Sequence, residues 1–239
     1  MKGVVLAGGT GSRMLPLTKV TNKHLLPIYD KPMIFYPIET LKKMEIKEIL
    51  IVSGKEHAGH IMNLLGSGKD EGVEYTYKVQ DKAGGIAEAL GLARDFSKGE
   101  NIAVILGDNI YEDTFDVSDF KDGARIYLKQ VSEPQRFGVA ELLDGKLVGI
   151  QEKPSIPRGN CAVTGLYIYD NSAFECIKNL KPSARGELEL TDVNNFFINK
   201  GKMEFRFVQG FWSDAGTFSS LFKSTEFIKN KTDYVNPLN

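Results

Sequence analysis

The segment Leu6-Ala7-Gly8-Gly9-Thr10-Gly11-Ser12-Arg13 combines three glycines with an arginine, and its chemistry is that of anion binding. Glycine lets the backbone turn with positive φ and approach a ligand closely, so that N–H groups face anionic oxygens. Arginine adds a planar, permanently charged fork matched to phosphate. Two familiar phosphate loops do not fit. A dinucleotide fingerprint starting at Gly9 needs glycine where Met14 stands, and no Gly-Lys-Ser/Thr follows to make a Walker loop. An ordinary glycine-rich turn between strand and helix is the alternative, and three glycines with an arginine exceed what such a turn needs.

Carboxylates and cations recur at the ends of other apolar runs. Asp108 closes one in Leu106-Gly107-Asp108-Asn109, and Asp214 follows Trp212-Ser213 just ahead of Gly216. Two strand-end aspartates suit a divalent cation whose other ligands are water and phosphate oxygens, although each alone also reads as a turn or a helix cap. Lys23, Lys153 and Arg185 supply cations that, taken singly, read as solvated surface charge. His57 and His60 lack the spacing of a zinc-binding helix. No Ser/His/Asp or Cys/His set supports covalent catalysis, and Cys161 and Cys176 read as two reduced apolar thiols.

Such residues need a scaffold that gathers them. Strands are predicted at 3–7, 48–53, 73–79 and 102–106, with helices at 33–45 (Pro32 at its start), 57–65 and 84–95 between them. Strand–helix alternation with nearly continuous apolar strands implies a largely parallel sheet covered on both faces, its ligands lying beyond the strands' carboxyl ends. The second half reads as a strand at 124–131, a hairpin over 138–152 turning at Asp144-Gly145, and a strand at 161–169. Helices near 172–180, 187–200 and 217–229 and a strand at 203–208 complete it, with Tyr234 to Asn239 as a frayed tail. The fold class expected is α/β, Rossmann-like: a mixed, mostly parallel central sheet flanked by helices, with an inserted β-rich lobe. With 239 residues, 42% hydrophobic and 26% charged, the composition is that of a globular protein. A net charge of −1 leaves no basic excess for a nucleic-acid partner, and no apolar run suggests a signal peptide or a membrane span. A cytoplasmic protein is expected.

Taken in order, Leu6–Arg13, Leu25–Met33, Leu106–Asn109, Glu152-Lys153-Pro154, Thr164–Tyr167 and Ser183–Glu189 resemble the sugar nucleotidyltransferases. The stretches 25–33 and 183–189 point to the glucose-1-phosphate thymidylyltransferase branch, and the resemblance runs from Met1 to about Ile228. It implies one domain over 1–239, with 1–110 mainly nucleotide-binding and 111–230 mainly sugar-phosphate-binding. It also implies a Mg²⁺-dependent reaction of dTTP with glucose 1-phosphate, giving dTDP-glucose and pyrophosphate. On this resemblance Leu6, Ala7, Gly8, Gly9, Thr10, Gly11, Ser12 and Arg13 wrap the nucleotide, Lys23 neutralises phosphate, and Gln80 with Gly85 reads the base. Asp108 and Asp214 hold the metal. Lys153 and Arg185 meet the sugar phosphate, with Gly138, Glu152, Thr164 and Tyr167 forming the sugar pocket. Arg13, Lys23, Lys153 and Asp108 would carry catalysis.

A sugar phosphate is already an oxyanion nucleophile, so the obstacle is charge repulsion and alignment rather than deprotonation. Preference for UTP or CTP and a non-catalytic nucleotide-sugar sensor stay open as alternatives. Against the resemblance, His24 and Glu88 stand where glutamines are usual, and Ser213 and Ala215 where a bulkier apolar residue and a threonine are usual. Many relatives continue past the position of Asn239 into a further helical segment that builds a regulatory nucleotide site and subunit contacts. A homo-oligomer, dimer or tetramer, is expected, with that second site left open.

Overall fold

A computed structural model describes residues 1–235, with side chains through Thr232. In chain order the first half comprises β1 (Lys2–Ala7), a short hairpin of β2 (Pro27–Ile28) and β3 (Lys31–Pro32), α1 (Phe35–Lys43), β4 (Glu48–Gly54), α2 (Ala58–Leu65) and β5 (Glu74–Gln80). It continues through α3 (Ile86–Gly91), α4 (Arg94–Ser97), β6 (Ile102–Leu106) and β7 (Asn109–Tyr111). The second half contains β8 (Ala124–Gln130), β9 (Gly138–Leu143), β10 (Lys146–Glu152), β11 (Cys161–Tyr169), α5 (Ser172–Lys178), α6 (Leu190–Asn199), β12 (Met203–Phe207), β13 (Trp212–Asp214) and α7 (Phe218–Val235).

Strands β5, β4, β1 and β6 lie parallel and adjacent, and β11 joins β6 antiparallel. Side chains alternate between the faces of this sheet, as a two-residue period requires. Val4, Leu6, Leu50, Val52 and Val104 pack under α3, α5 and α6, while Val5, Ala7, Ile49, Ile51 and Ile105 pack under α1 and α2. Helices on both faces account for the continuous apolar strands in the sequence. The β-rich stretch belongs to the same nine-stranded sheet: the β9–β10 hairpin enters through Ala162 opposite Val139, and β8 pairs with β11 and β12. Its turn uses positive φ at Asp144 (48°) and Gly145 (75°), as the sequence predicts.

Several boundaries differ from the sequence reading. Pro32 sits in β3 opposite Pro27 rather than opening α1, which follows Ile34. The helix expected over 84–95 is two, broken after Gly91, where Leu92 N–H turns back to Ala89. The helix expected from 187 begins at Leu190, leaving 183–189 irregular. Tyr234 and Val235 continue α7 instead of fraying; residues 236–239 lie outside the described residues. β2, β3, β7 and β13 are too short to show in hydrophobic periodicity.

Candidate active site

The carboxyl ends of β1 and β6 open into a cleft of about 380 Å³. Gly8, Gly9, Gly11, Ser12 and Arg13 form one wall. Gly11 has φ 61°, and a Cβ there would lie 2.7 Å from Thr18 Cγ2, so only glycine fits without displacing the loop. The loop is pinned by Thr18 Oγ1, which donates to Gly11 O at 2.9 Å. Lys23 and His24 follow in a 3-10 turn capped by Asn22, whose Oδ1 accepts the His24 backbone N–H at 2.8 Å. That same oxygen is 2.7 Å from His24 Nδ1, so Nδ1 carries the imidazole proton. Burial, reinforced by Lys23, pushes the His24 pKa down to about 3, which keeps the ring neutral at pH 7. The ring packs where Gly107 has no side chain: a Cβ there would be 2.7 Å from His24 Cδ2.

Two segments a hundred residues apart meet on the next wall. β13 pairs antiparallel with β7, setting Asp214 opposite Asn109, and Ala215 N–H donates to Asp108 O at 2.8 Å. Ala215 is fully buried in a small core with Ile28, Met33, Tyr36 and Ile110. The stretch 25–33 singled out in the sequence therefore supports the carboxylates from behind. Asn109, also buried, accepts at Oδ1 from Trp212 Nε1 (2.7 Å) and Gly165 N–H (3.0 Å), while its Nδ2 donates to Asp108 Oδ1 (2.9 Å). Gly165 lies at a register shift in β11, where a Cβ would strike the Asn109 carboxamide at 2.6 Å.

The two aspartates ionise differently. Burial opposes ionisation of Asp108, but the Lys23 ammonium at 2.5 Å overcomes it and holds the carboxyl well below the usual range. Burial and then the Asp108 charge raise Asp214 to about 6, against the pull of Arg136 and Arg13. Arg136 Nη2 stands 3.3 Å from Asp214 Oδ1. Arg13 closes the group: a Cβ on Gly216 would sit 3.0 Å from its Nη2 and 3.2 Å from Asp108 Oδ2. Two carboxylates pushed apart in pKa beside arginine and lysine form a charged centre of the kind found at functional sites.

The far wall carries the second set. Glu152 ends β10 and accepts from Thr191 Oγ1 at 2.6 Å. Arg185 spans Glu189 (2.8 Å) and Glu152 (3.3 Å), and Lys153 Nζ is 3.6 Å from Glu152. Gly138 and Tyr167 complete this side, while Gln80 and Gly85 lie toward the glycine loop. A Cβ on Gly85 (φ 106°) would collide with backbone of Leu188 at 2.4 Å, because Leu188 exchanges hydrogen bonds with Gly84 and Ala87.

Nearly all the residues singled out in the sequence thus share one cleft, Leu6 included. Three do not line it: Ala7 is buried in β1, Thr10 points to solvent, and Thr164 is buried between Val163 and Gly165, which do line it. Asn109, Arg136, Phe137, Glu189, Thr191, Asn194 and Trp212 line it without having been singled out. Asn109 and Phe137 adjoin a chosen residue, Arg136 and Trp212 lie two positions from one, and Glu189 belongs to the stretch 183–189, whereas Thr191 and Asn194 left no signal in the sequence. The His57 and His60 rings lie 5.8 Å apart and tilted by 32°, away from the cleft.

The nucleotidyl transferase family description matches residues 2–231. The chain belongs to that family. It is 41% identical over 238 residues to a glucose-1-phosphate thymidylyltransferase of Neisseria meningitidis, covering 96% of this chain and 83% of that protein. A protein of the same name from Xanthomonas campestris is 43% identical, covering 95% and 80%. A Bacillus anthracis crystal structure described as a glucose-1-phosphate thymidylyltransferase in complex with a sucrose superposes with TM-score 0.91 at 51% identity, covering 95% of this chain and 94% of that one. A UDP-glucose pyrophosphorylase complexed with UDP-glucose shares the fold, with TM-score 0.85 at 24% identity.

Proposed function

We propose that the chain joins glucose 1-phosphate to dTTP, giving dTDP-glucose and pyrophosphate. A phosphate oxygen of the sugar phosphate attacks the α-phosphorus of dTTP. A new P–O bond forms as the bond from the α-phosphorus to the bridging oxygen breaks, and pyrophosphate leaves with that oxygen and its electron pair. Support comes above all from one observation: the glycine loop with Arg13 and Lys23, and Arg185 with Lys153, flank a single cleft in which Asp108 and Asp214 meet.

Arg13 and Lys23 bind the triphosphate, and Lys153 and Arg185 bind the sugar phosphate, so that two polyanions approach each other in a partly desolvated space. Good alignment of this kind is worth roughly 7–11 kcal/mol of barrier. Gln80 and Gly85 contact the base; Gly138, Glu152, Thr164 and Tyr167 surround the hexose, Thr164 from beneath. No residue need act as general base, since the nucleophile is already ionised.

Two hard carboxylate donors suit Mg²⁺, which keeps several waters and shares phosphate oxygens. Among the described residues no cluster of three His, Cys, Asp or Glu side chains could hold it alone. Asp108 and Asp214 would hold the ion, which supplies neutralisation of the phosphates. Among the described residues no helix is long and apolar enough to cross a membrane. The same reading makes the protein a cytoplasmic homo-oligomer. The deciding experiment measures pyrophosphate release with glucose 1-phosphate against dTTP, UTP, CTP and ATP, with and without Mg²⁺. Mg²⁺-dependent release greatest with dTTP is expected, and release with none of them would overturn the assignment.

A further inference from the structure

Glu88, in the first turn of α3, has no part in the roles described so far. Its Oε2 accepts from Gln80 Nε2 at 2.6 Å and from Gly84 N–H at 3.0 Å. The same Nε2 also donates to Gly85 O at 3.1 Å. A carboxylate and a carbonyl offer no hydrogen, so one orientation alone of the Gln80 amide satisfies both: Nε2 toward α3 and Oε1 toward Gly8. There the missing side chain leaves the oxygen room, since a Cβ on Gly8 would lie 3.1 Å from it. Both hydrogens of Nε2 are engaged, and no protein donor among the described residues meets Oε1. Gln80 is 8% exposed, so a flipped amide would bury oxygen against oxygen.

We infer that Glu88 is a positioning residue for base selection: it locks Gln80 so that the cleft meets an acceptor and no donor. The inference rests on the reading that places the base of dTTP at Gln80. Thymine in a nucleotide has a single N–H, at N3, and the oxygen left free on Gln80 can only accept. The two therefore meet. In the same seat, fixed by the triphosphate on the glycine loop, cytosine turns the N3 lone pair to that oxygen and is rejected. Uracil, with the same N3–H, is not distinguished from thymine by this device.

The test measures kcat/KM for dTTP and dCTP with glucose 1-phosphate in the wild type, Glu88→Leu and Glu88→Gln. A wild-type preference for dTTP of about a hundredfold or more is expected from an unpaired acceptor in a buried contact. Glu88→Leu frees the amide to rotate and offer its NH₂ to cytosine, so the ratio should fall below about tenfold, chiefly through KM. Glu88→Gln should restore the wild-type ratio, because its side-chain oxygen accepts the same two bonds. An unchanged ratio in Glu88→Leu, or equal losses for both nucleotides, would overturn the inference. Should Glu88→Leu fail to fold, the wild type alone decides with N3-methyl-dTTP: loss of about a hundredfold or more agrees, and use equal to dTTP refutes. A wild type that releases pyrophosphate with neither nucleotide would instead sink the functional assignment itself.

Discussion

Replacing Asp214 by asparagine is expected to stabilise the metal-free protein at pH 7.5 while ending its turnover. The carboxyl is 17% exposed, and its pKa rises from 3.8 to about 6 because burial and the Asp108 charge outweigh Arg136 and Arg13. At about 1.36 kcal/mol per pKa unit, keeping it ionised above pH 6 opposes folding by about 3 kcal/mol. Asparagine keeps the shape and removes the charge. Arg136 retains Glu133 at 3.3 Å as a partner, so a net gain of about 2 kcal/mol is expected once its lost contact is discounted. For a chain of this length that corresponds to roughly 4–8 °C in Tm. The sign follows from a folded pKa above the unfolded one. The opposition is absent below about pH 3.8, grows up to about pH 6, and is constant beyond. Thermal melts in chelator at pH 7.5 and pH 4 should therefore show a gap in favour of Asp214→Asn that closes in acid. Equal melting points at pH 7.5, or a gap that persists at pH 4, would refute the reasoning. The neighbouring carboxylate should behave oppositely. Asp108 and Lys23 are 12% and 15% exposed and 2.5 Å apart, so Asp108→Asn strands a buried ammonium and destabilises by about 3–5 kcal/mol.

Three further outcomes follow from the geometry. Gly85→Ala places a methyl against Leu188 backbone at a positive φ, and chemical denaturation should show a loss of more than about 3 kcal/mol. Asn109→Ala orphans the Trp212 indole N–H and the Gly165 N–H, for a loss of roughly 2–4 kcal/mol in the same assay. Arg185→Ala should raise KM for the sugar phosphate at least tenfold and also lower Tm, because Glu189, 7% exposed, loses its cationic partner, and Arg185→Lys should not restore the KM, lacking the planar fork.

Much of the scaffold was legible because β1, β4 and β6 are apolar almost throughout, a pattern that a sheet covered on both faces imposes. The Asp144-Gly145 hairpin was equally plain, since its residues tolerate the φ values that the turn demands. The glycine loop announced itself by composition. What composition could not convey was how Asp214 reaches Asp108. That depends on β7 and β13, three residues each, whose pairing rests on the small core around Ala215 and on one carboxamide, Asn109. Elements this short carry no periodicity, and long-range pairing leaves no local trace. Arg136 was overlooked for a related reason: its role comes from a carboxylate 78 residues away. Glu88, noted only as a departure, gains meaning from the amide that it holds.

The ladder between β7 and β13 has a consequence for how the molecule comes into being. A growing polypeptide can complete the parallel strands and the glycine loop early, yet the charged centre stays half-built until residues 212–216 emerge and dock against Asn109–Tyr111. Any fragment that stops short of them, however well formed its amino-terminal sheet, carries Asp108 without the Asp214 carboxylate that stands beside it in the complete cleft. Grafting a foreign amino-terminal half onto this carboxyl-terminal half would succeed only if that edge-to-edge seam travelled with it.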